Sequence, residues 1–473
     1  MTILPIHPAE NASPDALFAF LGECRAAAVR DGHWKLVSIS LEVDALDPLA
    51  VLESIFDPGE PHFYAERPAI ETAIAGAEVV VAHEARGPER FANAQRWMSE
   101  ALEHSIAVGD VSAPFGGPHF FAAFSFLDDV EAGEAFPAAS IFVPRWQVAL
   151  AGKTTTAVAN LLVTPDADLA ALAHRVWRAH QKFRRFGYTD TPVGDTGDVL
   201  PPQFTHREAG DYRTSVSRAL ESIASGEIAK IVLARAQDIT SDRTLHPLQM
   251  LNGLRQRFPD CYAFSFTLGR GPSFIGASPE RLVRVSQGRL ETEALAGSIR
   301  RGTTASEDAA LAGALLRSEK DVREHRDVLD DIVARLRPLG VVAEFPAQPQ
   351  VRRLANVQHL HTPVQAAMPS GRTVLDVIAA MHPTPAVGGT PRGAAIERIR
   401  GLEGFPRGLY AGAIGWLNAR GGGEFFVGIR SALVEGSRAR VFAGAGIVKG
   451  STPEKEFAET ELKFKAMLDA LMK

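Results

Sequence analysis

Phe442-Ala443-Gly444-Ala445-Gly446-Ile447-Val448, followed by Pro453-Glu454-Lys455-Glu456-Phe457-Ala458-Glu459-Thr460-Glu461-Leu462-Lys463, is the stretch on which the reading of this chain turns. The apolar run reads as a strand, and its two glycines let backbone N–H groups approach an anionic ligand closely. Ser451-Thr452-Pro453 caps the helix that follows. On that helix Glu456, Glu459 and Lys463 fall on one face, at i, i+3 and i+7. Carboxylates on a rigid helix beside an anion cradle suggest a divalent cation bridging protein acids to an acidic substrate. Taken alone, the segment also suits a solvated amphipathic helix, so the rest of the chain has to decide.

Composition sets outer limits. The chain has 473 residues, 46% hydrophobic and 22% charged, an ordinary globular composition with room for a large core. A net charge of −6 without a basic run argues against nucleic acid and anionic membranes as partners. No segment reaches transmembrane length, and Met1 to Leu17 lacks the basic-then-apolar order of a signal peptide. Cys24 and Cys261 are the only cysteines and lack CxxC spacing, so neither a disulfide framework nor a zinc site is indicated. A cytoplasmic enzyme is the expectation.

Residues 1–203 read as scaffold. Trp34–Ile39 alternates and Glu78–Ala82 is continuously apolar, both as strands do, while Asp166–Phe186 reads as a helix stopping at Gly187. Asp190–Pro202, rich in Gly, Pro and Asp, is the boundary candidate. Beyond it, Glu208–Ser225 reads as a helix stopping at Gly226, and Ser306–Leu336 as one long helix striped by Leu311, Leu315, Val322, Leu329, Ile332 and Leu336.

Several segments carry candidate chemistry. In the strand Glu227–Arg235, Lys230 shares a face with Ile228, Val232 and Ala234. A lysine amid apolar neighbours either snorkels out or sits neutral, and a neutral lysine can act as a general base. Ser278-Pro279-Glu280 places a carboxyl at a proline-fixed turn, where burial could raise its pKa as a general acid requires. Glu293–Gly302 offers a close backbone approach at Gly297-Ser298. Asp321 and Glu324 lie three apart on the long helix, giving a second acid pair beside Glu456 and Glu459. Hard oxygen ligands without His or Cys suit Mg²⁺. Gln358-His359-Leu360-His361 supplies two histidines, at most one of which should face a ligand, and His382–Pro391 is a stiff loop before a helix near Arg392.

Together and in this order, the segments from Phe204 to Lys473 resemble the chorismate-utilising enzymes, a family that includes isochorismate and salicylate synthases and the synthase components for anthranilate and aminodeoxychorismate. The resemblance implies an α/β (α+β) fold: one large unit with mostly antiparallel sheets packed face to face and helices outside. Residues 1–203 would be the variable part of that unit, and 204–473 the chorismate-binding catalytic region. By the same resemblance Lys230 is the base that activates water at C2 of chorismate, and Glu280 the acid that protonates the departing C4 hydroxyl. Glu324 and Glu459 would hold Mg²⁺, supported by Asp321 and Glu456. Tyr410, Arg430 and Lys463, with the amides of Gly444 and Gly446, would hold the enolpyruvyl carboxylate, and Gly297, Ser298 and His359 would line the ring pocket.

Three positions choose among family members. Ammonia-using members carry Gln where this chain has Lys230. Aminodeoxychorismate synthases carry a lysine where it has Ala296, and salicylate synthases read nearer TASGI at Pro385-Ala386-Val387-Gly388-Gly389. The expectation is therefore a Mg²⁺-dependent isochorismate synthase, an isomerase serving menaquinone or siderophore biosynthesis. Salicylate synthase is the alternative, and an ammonia-dependent synthase a more remote one. A monomer without a glutaminase subunit is expected.

Overall fold

The computed structural model describes residues 1–4, 13–55, 59–131, 133–184, 203–269, 271–355 and 357–471. The boundary candidate Asp190–Pro202 and the helix end at Gly187 lie outside them.

The architecture radiates from one strand, Ala139–Ala151. On one edge it pairs with Thr72–Ala85, and from there antiparallel pairing runs through Pro61–Arg67, Tyr262–Leu268, Ser273–Ser278, Ser431–Glu435 and Arg438–Val448 to Lys230–Ser241. On the other edge it pairs with His119–Phe124, and a second antiparallel path runs through Ala413–Asn418, Gly423–Val427, Arg281–Ser286 and Arg289–Arg300 to Val357–Ala367 and Gln350–Arg353. Strands from before and after residue 203 thus join in the same sheets, Pro61–Arg67 pairing with Tyr262–Leu268 and His119–Phe124 with Ala413–Asn418. Thr154–Val163 and Lys35–Val43 extend the root of the structure, and among the described residues only the pairs made by Ser105–Gly109 are parallel.

The two paths face each other across an aromatic core. Phe63 of the first stacks on Phe121 of the second, with centroids 4.5 Å apart, and Phe264 lies 5.0 Å from Phe426. Buried on both faces, these strands can be apolar at nearly every position, as HFFAAF and YAFSFTL are. Helices cover the outer surfaces: Pro453–Leu471 lies on Arg438–Val448, and Glu319–Leu336 on Arg289–Arg300. Among the described residues, no helix is long and apolar enough to cross a membrane.

Two sequence expectations need correction. Ser306–Leu336 is not one helix: Ser318, extended at φ −70°, ψ 107°, ends Ala305–Arg317 and caps Glu319–Leu336, its hydroxyl bonding Asp321. A serine that can satisfy the amides of a new first turn competes with helix continuation. The Glu208 helix begins only at Tyr212, capped by Asp211, because Phe204–Ala209 pairs as a strand along Lys230–Ser241 and Glu208 binds the buried Arg235.

Candidate active site

The chain crosses between the two sheets at neighbouring points. Ser278-Pro279-Glu280 carries it from Ser273–Ser278 to Arg281–Ser286, and Gly428–Arg430 carries it back from Gly423–Val427 to Ser431–Glu435. The crossings are bonded to each other: Val427 N–H donates to the Glu280 carbonyl (3.1 Å), Ala277 N–H to the Arg430 carbonyl (3.0 Å), and the Ser278 hydroxyl to the Val427 carbonyl (2.6 Å). Arg430 sits at φ +51°, a left-handed backbone that turns its side chain into the gap between sheets. Sheet geometry therefore fixes Glu280 and Arg430 as neighbours. Burial, with the Glu293 charge behind it, pushes the Glu280 carboxyl up to about 8, against the lowering effect of Lys230, Lys463 and Arg352. Burial lowers the Arg430 pKa, and among the described residues no carboxylate forms an ion pair with that guanidinium, which leaves it suited to an anionic ligand.

Lys230 begins the strand that pairs with Arg438–Val448 in the register Val232–Gly446 and Ala234–Gly444. The Val232 amide donates to the Gly388 carbonyl and the Ala234 amide to Glu403, both away from the ladder. Antiparallel neighbours alternate between hydrogen-bonded and non-bonded pairs, so the backbone polar groups of Gly444 and Gly446 also point away from the Lys230 strand. The Gly444 carbonyl accordingly accepts from Lys463 Nζ at 2.7 Å. A Cβ at 444 would stand 2.7 Å from the Tyr410 hydroxyl, and one at 446 would stand 3.3 Å from both Glu324 Oε1 and Lys230 Cε. These glycines keep space open. Tyr410 is buried, its ring stacked on Phe442.

The lysine is not alone among apolar neighbours, as its strand pattern suggested. Lys230 is buried, and its Nζ donates to Glu324 Oε1 at 2.7 Å. The strand beneath is held by the fully buried pair Arg407–Glu403, in which Arg407 also donates to the carbonyls of Val232 and Val387. Arg407→Ala is expected to destabilise the protein by about 3–5 kcal/mol, because Glu403 would be left charged and unpaired. Denaturant unfolding would measure it, and a loss below about 1 kcal/mol would refute this reading.

Helices Glu319–Leu336 and Pro453–Leu471 bring the acid pairs to one place. Glu324 and Glu459 both line the cleft, whereas Asp321 and Glu456 stand behind it. Asp321 belongs to the Ser318 cap and backs Gly297, where a Cβ would meet the Asp321 Cβ at 3.2 Å. Burial and the Glu459 charge raise the Glu456 carboxyl, against a Ser451 hydrogen bond. Burial works against ionisation of Glu459 too, but Lys463 (2.7 Å), Lys320 and Arg430 hold it below the usual carboxylate range. Among the described residues, no group of three or more His, Cys, Asp or Glu side chains is arranged to hold a metal. Two carboxylates facing one cleft suit a hard cation that completes its shell with water and substrate oxygens.

Gly297, at φ +75°, falls where the register between Arg289–Arg300 and Val357–Ala367 slips by one residue. This bulge re-aims the next side chain. Ser298 reaches His359 Nδ1 at 2.9 Å, and His359 Nε2 is buried without a hydrogen-bond partner among the described residues. Burial, with Arg430 and Lys463 nearby, pushes the His359 imidazole down to about 3, so the ring is neutral. Of the two histidines flanking Leu360, His359 lines the cleft, while His361 turns to Glu293. Glu293 and Arg352, close behind Glu280, were not singled out from sequence; a charged residue inside the apolar strand ETEALAG was the available signal.

Twelve of the fourteen residues named from sequence as site candidates therefore meet in one cleft: Lys230, Glu280, Gly297, Ser298, Glu324, His359, Tyr410, Arg430, Gly444, Gly446, Glu459 and Lys463. Its space, partly open to solvent, is about 740 Å³.

Two facing antiparallel sheets with a buried lysine, a buried carboxyl and further cationic groups in the cleft define a class, and comparison with known proteins identifies it. Residues 22–472 match the family described as chorismate binding enzyme, and the chain belongs to that family. It is 37% identical over 440 residues to the salicylate biosynthesis isochorismate synthase of Pseudomonas aeruginosa, covering 92% of this chain and 90% of that one. It is 31% identical over 463 residues to isochorismate synthase MenF of Bacillus subtilis, covering 93% and 94%. The solved structure of the menaquinone-specific isochorismate synthase MenF from Escherichia coli superposes with a TM-score of 0.76 at 25% identity, over 96% of this chain and all of that one.

Proposed function

We propose that the chain is an isochorismate synthase, an isomerase that converts chorismate to isochorismate. The observation that carries this reading is the placement of Lys230 and a buried Glu280, its carboxyl pushed up to about 8, in one cleft that also holds the buried cationic Arg430. Near neutral pH, Glu280 retains a proton to donate.

In this mechanism a water oxygen bonds to ring carbon C2 while its proton passes to Lys230. The ring double bonds shift and the C4–O bond breaks, with Glu280 giving its proton to the departing hydroxyl. One water enters and one leaves, so the net change is isomerisation. Lys230 must be neutral to act. Its partner in the structure is Glu324, which a ligand at that carboxylate would draw away. Arg430, Tyr410, Lys463 and the outward amides of Gly444 and Gly446 bind the enolpyruvyl carboxylate, and Gly297, Ser298 and neutral His359 line the ring.

Glu324 and Glu459 would hold Mg²⁺, which when bound would neutralise the ring carboxylate against the surrounding acids; Asp321 and Glu456 support those ligands from behind. The product would feed menaquinone or siderophore biosynthesis in the cytoplasm, from a monomer that needs no glutaminase subunit. Incubating the purified protein with chorismate and Mg²⁺ and separating the products tests the reading. Isochorismate is expected as the main product. Salicylate with pyruvate would reassign the chain to a salicylate synthase, and an amino product formed with ammonium would reassign it to an ammonia-dependent one.

A further inference from the structure

Glu293 is a buried carboxylate near the cleft, yet it does not line it. It lies on Arg289–Arg300 with its side chain only 10% exposed. Its Oε1 accepts the backbone N–H of Arg281, the residue after Glu280, at 3.0 Å. Both oxygens accept from Arg352 Nη1 at 3.0 Å, and Oε2 lies 2.9 Å from His361 Nε2. A carboxylate serving only to anchor a turn would not need three donors. This one is poised to stay ionised behind a second carboxyl.

We propose that Glu293 is a positioning residue for Glu280: it pins the crossing at Arg281 and places a permanent negative charge behind the Glu280 carboxyl, keeping that carboxyl a proton donor. Resting on the assignment of Glu280 as the acid, the inference gives Arg352 the opposite role, since its guanidinium moderates the charge Glu293 presents.

The electrostatic setting fits. Burial opposes ionisation of Glu293, but His361 and Arg352 outweigh it and hold the carboxyl down at about 2, so it is charged throughout the working range. Glu280 meets that charge from its own sheet, and Lys230, Lys463 and Arg352 from three other elements; Tyr410 also faces it, and Glu324 and Arg430 share the cleft. The sign follows. An acid must be protonated, so activity falls as pH rises through its pKa. Removing the negative neighbour lowers that pKa, and removing the positive one raises it.

The test is the pH profile of kcat/KM for chorismate in wild type, Glu293→Gln, Arg352→Gln and Glu280→Gln. Glutamine at 293 can still accept from Arg281 N–H, so mainly the charge changes. The alkaline limb is expected to move to lower pH in Glu293→Gln and to higher pH in Arg352→Gln. A displacement of about one unit makes the fall in kcat/KM between pH 7 and pH 9 roughly fivefold steeper in Glu293→Gln. Infrared titration of the protonated carboxyl band, with Glu280→Gln as the blank, reads the same ionisation without turnover. Limbs and bands that stay put, or move in the same direction in both variants, overturn the inference. Should Glu293→Gln not fold, Arg352→Gln and its infrared band decide alone. Near-normal turnover in Glu280→Gln would instead remove Glu280 as the acid, a separate failure.

Discussion

Lys230→Gln is expected to lose about 10²–10⁴-fold in kcat, the usual contribution of a general base, while binding chorismate nearly as well as the wild type. The split follows from what the substitution keeps. A glutamine amide can still donate to Glu324, now at 2.7 Å from Lys230 Nζ, so no buried carboxylate is orphaned and the cleft should hold its shape. Only proton acceptance is lost. Ammonium salts are expected to restore some turnover as amination at C2, because ammonia needs less help from a base than water does. Steady-state kinetics alongside calorimetric chorismate binding checks the pair of expectations. A variant keeping more than a tenth of wild-type kcat would remove Lys230 from the base role.

The site was more legible in sequence than the fold around it, and the reason is geometric. Glycines 444 and 446, the Ser-Pro-Glu turn and the acids on two helices are local signals: each needs only its own few residues to be read. What joins them is not local. Glu280 and Arg430 are 150 positions apart and become neighbours because two sheet crossings hydrogen-bond to each other, which no periodicity announces. Lys230 was read as a lysine among apolar neighbours, since strand alternation reports the faces of its own strand and cannot show Glu324 arriving from a helix. The break at Ser318 was missed for a related reason: the apolar stripe continues across it, and only the capping bond to Asp321 marks the new start. Glu293 shows the limit most clearly. Its chemistry depends on Arg281, Arg352 and His361, which reach it from three other strands, Arg281–Ser286, Gln350–Arg353 and Val357–Ala367.

Glu459→Gln is expected to abolish most activity and to weaken Mg²⁺ far more than Glu456→Gln does. The difference rests on placement: Glu459 lines the cleft beside Lys463, whereas Glu456 is buried behind it and bonded to Ser451. A ligand contributes an interaction directly, while a supporting carboxylate acts only by orienting one. Charge alone leads to the same metal. Chorismate is anionic, and Glu324 and Glu459 would repel it unless positive charge intervenes; Lys230 and Lys463 supply some but are already paired to those acids. A divalent cation there would release both lysines to substrate chemistry. Activity should therefore vanish with EDTA and return with Mg²⁺, with zinc serving poorly among oxygen ligands. Mg²⁺ and chorismate should also each tighten the binding of the other, as linkage requires. Titrating chorismate calorimetrically with and without Mg²⁺ decides the matter. Equal affinity in both would mean that Glu324 and Glu459 serve only as partners for their lysines.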